Sequence, residues 1–470
     1  MSEVRTIKCT NSTVLPVVKH DLEIETSWTL TDLRKAIKDE FEIPNQNFRV
    51  FLRAGKKWFK IEDGKMLSDY PIDHAKIQID VKREINLDKF KEYYEDFDKH
   101  KHDGSIPYGI LSVKNQSAEE ARRKLITIVQ EFIEDALYNP RSASFSIPSR
   151  SGDNIGFDER SELVLLGRQT IDRAFRSLSS VKSVQQLTQL MVILDEVLAR
   201  DIHMTKRDIF YNDVNSFESQ GTSDGLIDDL TALLNVTRPS LNVSSSSKGI
   251  VIGHLEFDEK GDHIDCKRIG TGKAIAPSID DIENMQSDAE FVLVIEKDAV
   301  FNRLAEDQFY DYVPSIVITA KGQPDMATRM FLKKIDEELE LPILAIMDAD
   351  AYGFEILRVY TVGSKSLSFE AANLAVPNIR WLGLLPSDLK EDSGFEIPSS
   401  THIKLDKGDE NKIKKMLDEE FVKRKPEWVK ELNTLQDLGV KAEIQALNAR
   451  DPQFITNHYL PYKLENADFI

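Results

Sequence analysis

Four short apolar runs in the second half of the chain constrain its fold most. They occupy residues 291–296, 316–319, 343–348 and 379–384, and helical segments near 325–340 and 353–360 separate some of them. Strand-length apolar runs alternating with helices predict an α/β region with a mostly parallel sheet. Two of the runs end in acid. Glu296 follows Phe291-Val292-Leu293-Val294-Ile295, and Asp348 follows Ile343-Leu344-Ala345-Ile346-Met347, with Asp350 two residues further on. Strand ends are where open α/β sheets bind ligands. Residues two apart in a strand point the same way, so Asp348 and Asp350 share a face. A lone Asp-x-Asp is usually a solvated turn. An acid closing each of two strands points instead to a divalent metal. Three oxygen donors suit Mg²⁺, which takes a few carboxylates and keeps waters for a substrate phosphate.

A second pattern lies upstream, in Thr205-Lys206-Arg207-Asp208-Ile209-Phe210-Tyr211. Thr205 reads as the cap of a helix over residues 203–220. A tyrosine after a phenylalanine on a helix is commonly core. Arg207 separates Tyr211 from that reading, because residues four apart share a helical face. A phenol titrates near 10 and is a weak nucleophile at neutral pH. A neighbouring guanidinium favours the phenolate and can grip a phosphate with two hydrogen bonds. A tyrosine, an arginine and a metal-bound phosphate together are the parts of a DNA-breaking transesterification.

The chain's length of 470 residues predicts two to four domains. Residues 1–83 read as a small β-grasp domain: strands at 6–9 and 14–18, a helix over 27–41, then strands at 48–52, 60–61 and 76–81. Residues 63–72 resemble the corresponding part of ubiquitin. The expected role is either a stabilising appendage or a module that docks a partner. Residues 84–115 are charged and read as a linker. Residues 116–275 read as a winged-helix domain carrying Tyr211. Its helices are expected near 125–137, 157–178, 182–199 and 203–220, residues 142–153 as a loop, and residues 248–266 as the wing hairpin. Residues 276–470 read as the α/β metal-binding domain with a helical C-terminal extension. Two cysteines, Cys9 and Cys266, lie far apart and suggest no disulfide framework or zinc knuckle, which fits a reducing compartment. No apolar run is long enough to span a bilayer, so no membrane association is expected.

The formal net charge of −19 argues against a dedicated nucleic-acid coat, since phosphate binding rests on basic surface. Any DNA-binding cations must therefore be local. Lys206, Lys248 at the expected wing, Lys321 and Arg380 are the candidates; the alternative is a solvated surface charge, or for Arg380 a strand-end salt bridge.

The three fragments, in this order, resemble the meiotic DNA double-strand-break transesterases and the related A subunit of topoisomerase VI, the type IIB topoisomerase family. The resemblance runs through Arg207-Asp208-Ile209-Phe210-Tyr211, Val294-Ile295-Glu296-Lys297, Lys321-Gly322-Gln323-Pro324-Asp325, Asp348-Ala349-Asp350 and the long segment at 379–389. Ala320 and Ala351 depart from the usual pattern without removing a functional side chain. The resemblance implies a Toprim domain holding Mg²⁺ through Glu296, Asp348 and Asp350. It makes Tyr211 the nucleophile, assisted by Arg207, with a 5′-phosphotyrosyl product. It implies double-stranded DNA as substrate, action in the nucleus and a homodimer on DNA with each tyrosine meeting the partner's metal site. It also implies a topoisomerase VI B-like subunit. The competing readings are a catalytically silent DNA-binding scaffold and a reversible topoisomerase VI-type A subunit.

Overall fold

The computed structural model describes residues 3–12, 18–43, 48–54, 57–72, 77–97, 111–244 and 247–470. The first five strands, β1 (Val4–Asn11), β2 (Val18–Glu25), β3 (Phe48–Ala54), β4 (Lys57–Lys60) and β5 (Ile77–Arg83), form one sheet in the order β2-β1-β5-β3-β4. Helix α1 (Leu30–Phe41) lies between β2 and β3, opened by a capping box between Thr29 and Asp32. The second strand begins at Val18, so most of the 14–18 segment expected as a strand lies outside the described residues. Alternation sorts the sheet into two faces. Ile7, Cys9, Leu22, Ile24, Val50, Leu52, Ile79 and Val81 pack with Leu33 and Ile37 of α1. The opposite face is covered by the rest of the chain at β3 and β5, while its residues on β2 stay exposed. Phe51 joins a core with Tyr312 and Phe291, and Lys82 is buried, donating to the Asp307 carbonyl at 3.1 Å. Arg83 pairs with Glu465 at 2.8 Å.

The segment expected to be a linker carries a helix, α2 (Asp88–Phe97). Phe90 and Tyr94 are buried against Phe291 and Phe469. Aromatic residues at i and i+4 provide a face that buries, and this outweighs the surrounding charge. Residues 98–110 of the expected linker, including Gly104-Ser105-Ile106-Pro107, lie outside the described residues.

A helical unit follows. It comprises α3 (Ala118–Tyr138), α4 (Val181–Ala199), α5 (Lys206–Asn212), α6 (Val214–Phe217) and α7 (Gln220–Leu234), with one shared core. The single helix expected over 203–220 is two short ones, because Asp213 leaves the helical region and caps α6 with its side chain. The 142–178 stretch, expected as a loop and a helix, forms strands instead. These are β6 (Ser144–Pro148), β7 (Ile155–Asp158), β8 (Leu163–Leu166) and β9 (Thr170–Ala174), paired β6 with β9 and β7 with β8. All four residues of β8 are buried, which a one-sided helix would not allow. Strand β10 (Met204–Thr205) pairs in parallel with β11 (Val243–Ser244) just before α5.

The expected wing at 248–266 belongs elsewhere. Its first strand, β12 (Ile250–Gly253), is an antiparallel member of the α/β sheet. Its hairpin, β13 (Glu256–Glu259) and β14 (Asp262–Asp265), pairs with β16 (Ile282–Gln286). The α/β unit thus begins well before residue 276. Its six-stranded sheet has the order β15-β12-β18-β17-β19-β20, where β15 is Lys273–Ala274, β17 Phe291–Ile295, β18 Ser315–Thr319, β19 Ile343–Ile346 and β20 Arg380–Gly383. Strands β18, β17, β19 and β20 are parallel. Val292 and Val294 face one core with Phe331, Phe354 and Trp381. Leu293 and Ile295 face another with Phe301 and Leu304. Burial on both faces explains why these strands read as unbroken apolar runs. Helices α8 (Asp298–Glu306), α9 (Phe309–Tyr312), α10 (Met326–Leu339) and α11 (Ala351–Thr361) complete the layers. The mixed α/β architecture agrees with the expected class. Among the described residues no helix is long and apolar enough to cross a membrane. Cys9 and Cys266 are buried and free.

Glu370 lies where the helical and α/β units meet, next to Phe369, which packs on Val113, Leu166 and Ala232. It is fully buried, and neither carboxylate oxygen completes a hydrogen bond of normal geometry. Burial pushes its carboxyl up to about 7, against the pull of the Arg238 charge and N–H; Asp228 adds to the rise and Arg329 opposes it. A carboxyl raised in the folded state binds its proton more tightly there than when unfolded. Its stabilising effect is full below the unfolded value and is lost as pH rises through about 7. Glu370→Gln, which fixes the neutral form, should therefore gain on the wild type by roughly 3 kcal/mol between pH 4.5 and 8. Denaturation of both proteins across that range checks this; a constant difference would contradict it.

Candidate active site

Glu296 and Asp348 are brought together by the register of β17 and β19, in which Ile295 sits opposite Ile346. Glu296 follows the end of β17 and its N–H donates to the Ile346 carbonyl at 3.1 Å. Its Oε2 accepts from the Asp348 backbone N–H at 2.8 Å. Both side chains are buried. Burial, followed by the Asp348 charge, pushes the Glu296 carboxyl up to about 7; the Asp348 N–H opposes this and the Asp350 charge adds to it. Asp348 is also raised by burial, partly offset by its hydrogen bonds to Lys297 and to the Ile444 N–H.

Asp350 caps α11, its Oδ1 accepting from the Tyr352 and Gly353 N–H groups at 2.8 and 2.7 Å. A Cβ at Gly353 would lie 2.3 Å from the Asp348 carbonyl oxygen, so this close turn requires glycine. On the neighbouring strand end, Lys321 has a φ of 56° and Gly322 of 99°. Strain of this kind in a non-glycine residue collects at functional sites. The Gly322 N–H donates to the Glu296 carbonyl at 2.7 Å, and Lys321 Nζ lies 3.5 Å from Asp298 Oδ1.

Sequence reasoning missed two contributors. Lys297 Nζ lies 2.8 Å from Asp348 Oδ2 and 3.1 Å from Glu443 Oε2. Burial pulls its ammonium down, but bonding to Asp348 and Glu443 outweighs this and leaves it raised. Lys297 was visible beside Glu296 in the motif. Glu443 gave no signal, because its segment read only as part of a charged helical C-terminal extension. It arrives through the pairing of Ala442 with Ala349.

Among the described residues, no three His, Cys, Asp or Glu side chains are gathered closely enough to hold an ion. The donor set nevertheless fits one. Carboxylates from adjacent strand ends are hard oxygen donors. Burial and the neighbouring Asp348 charge hold Glu296 up, a cost that a divalent cation relieves, and Lys297 offsets part of it here.

Tyr211 belongs to a separate unit. Helix α5 opens with a capping box between Thr205 and Asp208, and Ile209 is its buried anchor. Tyr211 is 65 % exposed. Arg207 is also exposed, and no ion pair engages it among the described residues. Lys206 turns inward, to Asp228 and Asp224. Lys248 is not on a wing: it precedes β12, and its backbone N–H donates to Asp325 at 3.4 Å. Arg380 begins β20 opposite Leu344, at the end of the sheet away from the carboxylates. It lines a cavity of about 140 Å³ with Glu162, Lys425 and Trp428.

A Toprim-type α/β domain beside a helical unit bearing an exposed tyrosine defines a class, and comparison with known proteins agrees. Residues 291–464 match the family model for the Toprim domain of Spo11 and the topoisomerase 6 A subunits, and residues 182–243 match "Type IIB DNA topoisomerase". The chain is 47% identical to the DNA topoisomerase 6 A subunit of Arabidopsis thaliana, over 70% of this chain and 76% of that protein. It is 38% identical to the mouse meiotic recombination protein SPO11, over 78% and 92%. It is 34% identical to the type 2 DNA topoisomerase 6 A subunit of Saccharolobus shibatae, over 75% and 97%. The chain belongs to the family of type IIB topoisomerases that holds Spo11 and the topoisomerase 6 A subunits.

Lys297 is the cation that neutralises the carboxylates here, so removing it has two opposed effects. Lys297→Met should lower thermal stability without divalent ions and tighten divalent-metal binding about tenfold, because the ion no longer displaces an ammonium. Calorimetric titration checks this; unchanged or weaker binding would contradict it.

Proposed function

We propose that the chain cuts duplex DNA by transesterification, with Tyr211 as nucleophile. Its hydroxyl oxygen forms a bond to a backbone phosphorus while the bond to the 3′ oxygen breaks. The phenolic proton is lost and the leaving oxygen gains one, giving a 5′-phosphotyrosyl link and a free 3′-hydroxyl. The observation that carries this reading is that Tyr211 and Arg207 stand four residues apart, both exposed, on a helix anchored by its buried Ile209. Arg207 is free to grip the phosphate and stabilise charge developing on it. Glu296, Asp348 and Asp350 would hold Mg²⁺, which supplies charge neutralisation at the phosphate when bound. Lys321, at the same sheet end, is the DNA-contact candidate best placed near them.

The tyrosine and the carboxylates sit in different units, and the exposed tyrosine faces outward. Both facts support a homodimer on DNA in which each tyrosine meets its partner's carboxylates. The net charge of −19 supports weak, salt-sensitive self-association without DNA. Exposed Ile133, Leu137 and Tyr138 on α3 offer an apolar stripe for a topoisomerase VI B-like subunit. Residues 1–83 form the ubiquitin-like domain in this reading. A docking partner for it would use surface away from the sheet face that already packs on this chain. Residues 84–115 join it to the helical unit that carries Tyr211, and the Toprim unit follows. Formation of meiotic double-strand breaks in the nucleus is the biological role this reading supports.

A second reading, a reversible topoisomerase VI-type A subunit, is favoured by the 47% identity to the plant relative. Strand passage with ATP and a B-like subunit separates the two.

Mixing tests the composite site. Tyr211→Phe protein combined with Glu296→Gln protein should form dimers with one intact site and one doubly defective site. Once exchange of protomers is shown by mass measurement, such dimers should nick single strands and make few double-strand breaks. Absence of nicking from exchanged dimers would place tyrosine and carboxylates in the same protomer.

A further inference from the structure

Helix α5 is seven residues long. A helix so short is not stable alone in water, so its direction is set by whatever holds it. Two of its attachments are buried Ile209 and the Thr205–Asp208 box. The third is ionic. Lys206 and Arg207 are neighbours that point apart. The Lys206 side chain is 22% exposed, with Nζ 3.5 Å from Asp228 Oδ1 and 3.8 Å from Asp224 Oδ2, both on α7. Burial, helped by the Arg238 charge, pulls the Lys206 ammonium down, and Asp228 and Asp224 pull it back up.

Asp228 is the centre of a wider network. Its Oδ1 accepts from Arg238 Nη2 at 2.7 Å, and its Oδ2 lies 3.4 Å from Arg150 Nη1. Arg150 also binds Asp229 at 2.6 Å, and Arg173 binds the same Asp229. Arg238 in turn pulls on the Glu370 carboxyl at the junction with the α/β unit. One carboxylate therefore ties the start of the tyrosine helix to the strand region at Arg150 and to the segment leading into β11.

We propose that Asp228 is a positioning residue for DNA cleavage: by holding Lys206 it fixes the direction in which the Tyr211 helix presents its hydroxyl. This rests on the reading of Tyr211 as nucleophile. It also replaces the phosphate contact expected of Lys206 with an internal one. Attack requires the reacting atoms to be aligned within a few tenths of an ångström, so a small rotation of α5 costs rate and leaves DNA affinity alone.

The full chain is compared with Lys206→Met, Lys206→Arg and Asp228→Asn in three measurements. The first is amide hydrogen exchange of residues 209–212 without DNA. The second is duplex affinity as a function of salt. The third is the rate of covalent adduct formation at saturating duplex with Mg²⁺. Lys206→Met should speed exchange about tenfold and slow adduct formation about tenfold or more. Its affinity and salt slope should be those of the wild type. Lys206→Arg should restore both rates, and Asp228→Asn should behave as Lys206→Met. If Asp228→Asn does not fold, Lys206→Met carries the test, since it leaves Asp228 its two arginines. A weaker affinity with a salt slope reduced by about one contact, at unchanged saturating rate, would make Lys206 a phosphate ligand and overturn the proposal. Unchanged exchange in Lys206→Met would overturn it too. A wild type that forms no Tyr211 adduct would sink the functional reading, while the exchange result still decides whether Asp228 anchors the helix.

Discussion

Two carboxylates of like charge, Glu296 and Asp348, are buried side by side at the ends of neighbouring parallel strands. Keeping them there costs free energy, and much of the α/β unit is arranged to offset that cost. The Asp348 N–H binds Glu296, the Ile444 N–H binds Asp348, and Lys297 supplies the counter-charge. Register fixes the pair: a slip of one residue between β17 and β19 would turn each strand's side chains to the opposite face. Gly353 permits the turn after Asp348, and the C-terminal segment around Ala442 closes over the site. A strained and crowded acidic site of this kind is one that binding a cation relieves.

The second half of the chemistry depends on the opposite condition. Tyr211 and Arg207 are exposed and unencumbered, and the short helix that carries them is held from below. The network centred on Asp228 joins that helix to the rest of its unit, and Arg238 and Glu370 extend it to the border with the Toprim unit. The N-terminal sheet is separate from both. It packs through Phe51, Lys82 and Arg83 on the side of the α/β unit formed by Phe291, Tyr312 and Glu465. That arrangement makes it a structural member of the chain as well as any docking module it forms.

The parallel strands and their terminal acids were legible in the sequence because burial on both faces leaves unbroken apolar runs. The cap at Thr205 was legible because capping is local chemistry. What failed was non-local. Strand β8 is buried on both faces, Leu163 and Leu165 against Ala371 and Ala375 some two hundred residues away, so its local pattern read as part of a helix. Strand β12 looked like a wing because its true neighbour, β18, follows it by more than sixty residues. Helix α2 was hidden in charge, since only Phe90 and Tyr94 announced its buried face. Lys206 and Arg380 read as candidate DNA contacts because their acidic and aromatic surroundings come from other segments of the chain.

The central claim is that one side chain, Tyr211, becomes joined to DNA. Duplex DNA incubated with the protein, Mg²⁺ and any required B-like partner can be trimmed with nuclease and the protein digested for mass spectrometry. The account predicts a nucleotide-bearing peptide whose modified residue is Tyr211, linked through a 5′ phosphate. A peptide modified at a different residue, or breaks made without any protein-linked end, would contradict it.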